Sequence, residues 1–494
     1  MQSNLKVSNQ FASLPPAFYT RLRMQGLTDP TLLHVNPDVL ARLELTMEDA
    51  RSPQFLSIMS GNADLPGGVT LSAVYSGHQF GVWAGQLGDG RAHLLGAIGG
   101  TDGKGKPVDW EIQLKGSGKT PYSRMGDGRA VLRSSMREYL ASAAMTGLGI
   151  PTTQALCLVG SDDPVYRETV ETAAIVARVA PSFVRFGSFE HWYAAKDPVR
   201  LRELLDYVIG SFFADQVPTP DNEHTLNDVI ERFVDVVIER TATLMADWQS
   251  VGFNHGVMNT DNMSVLGLTL DYGPYGFMDA FRINHVCNHT DAQGRYAWNA
   301  QPSVGLWNLY RFANCFVALG ADPERLKARL ERYEGLFIAA YRDRMLAKLG
   351  LQTWKEGDDE LIDGWWRVLH EQSADFTLSF RYLAQIDDDE SALRSLFADT
   401  AGLEQWLVSY RARLQDNDGD GQARASRMDR VNPLYVLRNY LAEEAIQAAA
   451  KGDMSVTDAL LQVLRDPYTA KPGMEHYAEP PPDWGRELEV SCSS

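Results

Sequence analysis

Between Val69 and Val179, apolar positions come in short runs separated by glycine, proline and aspartate. Ala92–Ile98, Trp110–Leu114, Ala155–Val159 and Thr172–Val179 are such runs, and each predicts a strand. One segment has a different period. Leu132, Met136, Tyr139, Leu140, Ala143 and Ala144 recur at helical spacing over Arg129–Thr146, and Gly147 with Gly149-Ile150-Pro151 supplies the stop. Beyond Val199 the helical period takes over. It predicts amphipathic helices over Arg200–Ala214, Leu226–Val251, Val304–Leu319, Pro323–Leu349, Glu360–Ile386 and Glu390–Gln415. The expected architecture is α+β in two lobes. Residues 1–68 form an extension packing on the core, 69–199 a mostly β lobe with one long helix, and 200–465 a helical lobe. Residues 466–494 are a Pro-rich irregular tail.

Composition narrows the function classes. Hydrophobic residues make up 44% and charged residues 22% of 494 positions, ordinary for a globular chain with a large core. Asp plus Glu is 64 against 46 Lys plus Arg, a formal charge of −18. Such a surface repels phosphate backbones, which argues against a nucleic-acid partner while leaving a nucleotide held by local cations open. No apolar run approaches the ~18 residues that span a bilayer, so no membrane partner is expected. The N-terminal stretch has no targeting pattern. Four cysteines without a CxxC do not make a disulfide framework, and a reducing cytoplasmic setting is the expectation.

The candidate chemistry centres on His255-Gly-Val-Met-Asn-Thr-Asp-Asn262 and Asp271-Tyr-Gly273. This is the layout of a protein-kinase catalytic loop and metal-binding triplet, placed after a long helix of the helical lobe. A kinase carries its acidic base five residues before the metal-binding Asn. Here that position is Val257, which cannot take a proton. Asn262 and Asp271 offer the oxygen ligands Mg²⁺ prefers. Asp261 is the acidic group nearest the vacated position and the candidate general base. Lys115 ends a predicted strand and Glu138 lies in the following helix, the elements that carry the phosphate-holding ion pair of a kinase. Gly85-Gln-Leu-Gly88-Asp-Gly90-Arg91 is a Gly-rich turn whose backbone and arginine suit phosphate oxygens. Arg178 and Arg185 have the right fork for phosphate, although taken alone they read as ordinary ion-pair partners.

Two motifs are decoys. Gly116-Ser-Gly118-Lys119-Thr120 lacks the first glycine of a P-loop, since position 113 is Gln113. The run opening at Asp416 lacks the closing Glu of a calcium loop, having Arg427 there.

On these residues the chain resembles the selenoprotein O family, kinase-fold protein adenylyltransferases once described as pseudokinases. The resemblance covers nearly the whole chain. It rests on Tyr75-Ser-Gly-His-Gln-Phe-Gly81, Leu87-Gly-Asp-Gly-Arg91, Gln113-Leu-Lys-Gly-Ser-Gly118 and Thr120-Pro-Tyr-Ser-Arg124, with Asp127-Gly-Arg129, the 255–262 loop and Asp271-Tyr-Gly-Pro-Tyr275. It implies transfer of AMP from ATP to Ser, Thr or Tyr hydroxyls of protein substrates, with the nucleotide flipped relative to a kinase and pyrophosphate leaving. It also implies Mg²⁺, or Mn²⁺, on Asn262 and Asp271, with Asp261 as base. Gly88, Gly90, Arg91, Lys115, Asp127, Gly128, Arg178, Arg185 and Asp271 are the implied nucleotide contacts, and Glu138 the partner of Lys115. The same resemblance suggests a regulatory disulfide between Cys287 and Cys492. Replacing Asp271 by alanine is expected to abolish transfer and leave the fold intact. A phosphotransferase with Asp261 as a shifted base, and a nucleotide-binding scaffold without turnover, are the alternatives.

Overall fold

The computed structural model describes residues 5–220, 224–416, 421–486 and 488–490. Eleven strands precede the long helical run: β1 (Val7–Ser8), β2 (Tyr19–Arg21), β3 (Thr31–Val35), β4 (Leu71–Ala73), β5 (Ser76–Gln79) and β6 (Val82–Gln86), then β7 (Ala92–Thr101), β8 (Pro107–Lys115), β9 (Ala130–Val131), β10 (Gln154–Tyr166) and β11 (Val170–Ala180). Nine of them make one antiparallel sheet with the path β2-β4-β7-β8-β11-β10-β3, β1 pairing with β7 and β9 with β11. The β5–β6 hairpin stands apart as its own two-stranded sheet. All four predicted strands are present. Residues 5–68 hydrogen-bond into the sheet through β1, β2 and β3 and cover one of its faces with the helices Pro37–Arg42 and Pro53–Met59.

Alternation along β8 and β11 decides where chemistry can sit. Trp110, Ile112 and Leu114 of β8, with Ile175, Ala177 and Val179 of β11, point into the core under the N-terminal helices. The intervening residues of β8 are Glu111, Gln113 and Lys115, and on β11 Arg178 stands between Val176 and Ala180. Antiparallel register sets Arg178 opposite Gln113 and Val176 opposite Lys115. This second face packs on the helix Leu132–Gly147, which carries Glu138. One strand face is therefore apolar and the other holds a row of buried polar groups.

The remainder is helical around two cores. The expected helix over Pro323–Leu349 is two, Pro323–Leu330 and Arg332–Lys348. Glu360–Ile386 is likewise split into Asp358–Gln372 and Phe376–Leu383. Ser373 takes a left-handed conformation (φ 49°), and the Asp375 carboxylate caps the second helix by accepting the Leu378 N–H at 2.8 Å. Glu390–Gln415 divides into Ser391–Arg394 and Ala401–Gln415, with Asp399 accepting the Ala401 N–H at 2.9 Å. Among the described residues no helix is long and apolar enough to cross a membrane.

Candidate active site

The helix Leu226–Ser250 delivers the chain to β12 (Phe253–Asn254), which pairs with β13 (Gly276–Phe277) and so closes the loop between them. That loop is pinned from inside. His255 donates a ring N–H to the Leu270 carbonyl at 2.8 Å, and its backbone N–H goes to Gln301 Oε1 at 2.9 Å. Asn308 donates to the Met258 carbonyl at 2.9 Å. The loop ends in one 3₁₀ turn, Thr260–Asn262. Asn262 donates its amide to the Val257 carbonyl at 2.9 Å, which leaves its Oδ1 as a free acceptor. Val257 thus orients Asn262 through its backbone carbonyl.

Asp261 lies beside it and is 7% exposed. Burial pushes its carboxyl up to about 6, against the opposing pull of Arg185 and a hydrogen bond from Gln79. Asp271 behaves oppositely. Burial would raise its pKa, but Arg185, Arg178 and Lys115 outweigh that and hold it well below the usual carboxylate range. Its Oδ2 accepts from Arg185 at 2.6 Å; its Oδ1 accepts from Arg178 and lies 3.7 Å from Lys115 Nζ. Arg178 also donates to Glu138 at 3.1 Å and to Gln113, and Lys115 pairs with Glu138 at 2.6 Å. Arg185 reaches the Asp261 carbonyl at 2.7 Å and lies over the Tyr75 ring, 4.5 Å from its centroid. Three buried cations and two carboxylates are thus interlocked on the polar face of β8 and β11.

These groups border a cleft of about 810 Å³. Gly88, Gly90, Arg91, Lys115, Asp127, Gly128, Arg178, Asp261, Asn262 and Asp271 all line it, while Arg185 and Glu138 sit behind the lining. The glycines have a packing reason to be small. A Cβ on Gly88 would fall 2.5 Å from the Tyr122 ring, and one on Gly128 (φ 76°) 2.2 Å from the Gly118 carbonyl carbon. Arg91 is exposed at the cleft edge. Asp127 accepts a two-pronged contact from Arg167, at 2.7 and 3.1 Å, and the Arg129 N–H at 2.9 Å. The Gly116–Thr120 segment is an irregular loop after β8 with Lys119 exposed, so the P-loop likeness fails in structure as well.

Sequence reasoning passed over Gln79, Asp89, Gln113 and Arg167. Asp89 is buried and accepts from Gln113 at 3.1 Å and the Ala73 N–H at 3.1 Å, which anchors the Gly-rich turn. The polar alternation of β8 was a readable signal for Gln113, and Gln79 and Asp89 fall inside the 75–81 and 87–91 motifs; nothing local marks Arg167. Cys287 Sγ donates to the Pro274 carbonyl at 2.9 Å. Its expected partner, Cys492, lies outside the described residues.

A family model described as "Protein adenylyltransferase SelO" matches residues 1–465. The chain belongs to the SelO protein adenylyltransferase family. A relative from Bordetella petrii is 59% identical over 496 residues, spanning 100% of this chain and 99% of that protein. Relatives from Dechloromonas aromatica (50%, with 98% and 97% covered) and Cupriavidus metallidurans (48%, with 98% and 90% covered) extend the likeness. All three are named "Protein nucleotidyltransferase YdiU".

Proposed function

We propose that this protein is an ATP-dependent protein adenylyltransferase on a two-lobed, kinase-like scaffold, with 69–199 and 200–465 as the lobes and the 810 Å³ cleft between them as the nucleotide site. The observation that carries the reading is Asp261. It is a buried carboxylate beside Asn262 with one oxygen unpartnered, in a loop whose kinase-base position is Val257. In this reading a Ser, Thr or Tyr hydroxyl of a protein substrate gives its proton to Asp261 as its oxygen bonds to the α-phosphorus. The bond from that phosphorus to the bridging oxygen of the β-phosphate breaks, and pyrophosphate leaves with the electron pair. Lys115 and Arg178, held by Glu138, and Arg91 at the cleft edge face the phosphates, while Gly88, Gly90, Asp127 and Gly128 shape the nucleotide seat. Arg185 keeps Asp271 and the Asp261 backbone in register from behind.

The residues present fit a divalent ion. Asn262 Oδ1 is left free by the Val257 contact, and the Asp271 carboxylate borders the cleft. Among the described residues no three His, Cys, Asp or Glu cluster as a self-sufficient cage, and a site of one carboxylate, one amide oxygen and substrate phosphates is what Mg²⁺ accepts. Bound there, Mg²⁺ or Mn²⁺ would neutralise polyphosphate charge. The test is parallel incubation with ATP labelled at the α- or the γ-phosphorus, in the presence of a generic protein acceptor. Protein label from the α-position alone is expected. Label from the γ-position alone would make the protein a kinase and overturn the reading.

A further inference from the structure

The β5–β6 hairpin lies outside the main sheet, yet its turn is tied to the loop that bears the base. Three consecutive residues of the hairpin reach three consecutive residues of that loop. The His78 N–H donates to Thr260 Oγ1 at 2.7 Å, the Gln79 amide donates to Asp261 Oδ2 at 3.2 Å, and the Phe80 N–H donates to Asn259 Oδ1 at 3.1 Å. Phe80 and Gly81 form a two-residue turn with φ 50° and 81°. Left-handed backbone is costly for phenylalanine, about 1–2 kcal/mol. The turn holds because the Phe80 N–H is shared between Asn259 and the Tyr296 hydroxyl, 3.0 Å away, and that hydroxyl itself donates to Asn259 at 2.7 Å. The hairpin and the base loop are therefore one rigid unit.

Space around Asp261 is equally constrained. A Cβ on Gly77 would come 3.0 Å from Asp261 Oδ1 and 2.9 Å from Thr260 Oγ1, and one on Gly187 would lie 3.3 Å from the Asp261 Cα. Within this cage one carboxylate oxygen is held and the other is not. Oδ2 has the Gln79 amide, whereas Oδ1 is buried with no hydrogen-bond partner. A buried acceptor left unmet costs about 1–3 kcal/mol, which leaves the Gln79 contact at Oδ2 to orient the carboxylate.

We propose that Gln79 is a positioning residue, fixing the orientation of the Asp261 carboxylate at the cleft wall through Oδ2. This rests on the adenylyltransferase reading above. The Gln79 side chain lines the cleft and hydrogen-bonds to Asp261, not to Asn262 or Asp271, so its loss is expected to act chiefly on the rate of transfer. The experiment compares wild type, Gln79→Ala and Gln79→Glu, each checked for an unchanged melting temperature. Initial rates of α-labelled AMP incorporation are taken across ATP concentrations. Gln79→Ala is expected to lower kcat at least tenfold with KM for ATP within twofold. Gln79→Glu keeps the length and shape but replaces the donor with a like charge, so it should fall at least as far. A kcat within twofold of wild type in Gln79→Ala, a loss confined to KM, or recovery in Gln79→Glu would overturn the role. Wild type that incorporates no α-label would overturn the adenylyltransferase reading and this role with it. The α-label in wild type separates that outcome from failure of the Gln79 role alone.

Discussion

Asp271→Asn changes one oxygen to an amide nitrogen and removes one charge from a crowded place. The carboxylate is in contact with Arg178 and Arg185 and lies 3.7 Å from Lys115, with Glu138 the second anion of the group. After substitution, Lys115 and Arg178, at most 12% exposed, keep Glu138 as ion-pair partner, while Arg185 loses its carboxylate contact. Removing one partner from a buried charge pair costs about 3–5 kcal/mol because the remaining charge stays desolvated. Lys115 stands opposite Val176, and Gln113 opposite Arg178, so the β8 and β11 backbone amides report on this loss. Amide exchange in these strands is expected to quicken about 10²- to 10⁴-fold, the same energy expressed as an opening constant. A second substitution, Arg185→Met, should recover part of the protection by removing an uncompensated cation. Exchange unchanged within threefold in Asp271→Asn would refute the reasoning, since it would mean that water already screens the cluster.

The same accounting corrects an expectation from sequence. Alanine at Asp271 is not a clean test of a metal ligand, because the side chain also neutralises the sheet's buried cations. Asp261 offers the cleaner contrast. Its carboxyl is raised to about 6 chiefly by burial, so ionised Asp261 weakens the folded state above that pH. Asp261→Asn should abolish transfer and at pH 8 be at least as resistant to urea as wild type. A variant clearly less stable than wild type would contradict that account of the site.

Two further outcomes follow from single side chains. Lys348 ends its helix with its ammonium 4.1 Å from the Phe380 ring centroid, and burial lowers its pKa from 10.5 to about 7. The unfolded chain then binds a proton that the folded chain lacks between pH 7 and 10.5, so stability rises across that window and the deficit is full below it. Lys348→Met is expected to be more stable than wild type below pH 7, with the gap shrinking by about 1.4 kcal/mol per pH unit above. Urea unfolding of both proteins at pH 6.5 and 9.5 checks this, and a gap independent of pH refutes it. Gly88→Ala places a methyl 2.5 Å from the Tyr122 ring at φ 141°, so the Gly-rich turn must shift. Nucleotide affinity should fall at least tenfold by direct titration, and wild-type affinity would show that the turn does not shape the seat.

What could be read from the chain was what is local in it. The 255–262 loop puts Val257, Asp261 and Asn262 within six positions, so type and spacing alone suggested both a kinase-like loop and the departure from it. The strands were legible because each carries its own apolar run and its own glycine or proline stop. The long helices were misjudged where apolar periodicity runs across a break. Asp358–Gln372 and Phe376–Leu383 feed the same core around Trp365, so only the Ser373 conformation separates them. Gln79 lay inside the 75–81 motif, yet its contact was hidden for the opposite reason. Its partner is 182 positions away, and a glutamine beside a turn has no local pattern that tells a surface amide from one holding a base.

Arg178 and Arg185 show how two readings of one residue can both hold. Read alone they suggested ordinary ion pairs, and they do pair with Asp271. Those pairs are also what keeps three cations stacked on the cleft side of a sheet in a chain of charge −18. A buried cation needs a nearby anion to stay charged at all. Asp271 and Glu138 meet that need by direct ion pairs, and Asp89 and Asp261 lie within electrostatic reach of Arg185. Lys115, Arg178 and Arg91 line the cleft, so an anion entering it meets cationic donors at close range that the net charge of the molecule would not suggest. A net-acidic surface and cations lining the cleft are therefore compatible, because short-range contacts act inside the cleft while the net charge acts from a distance.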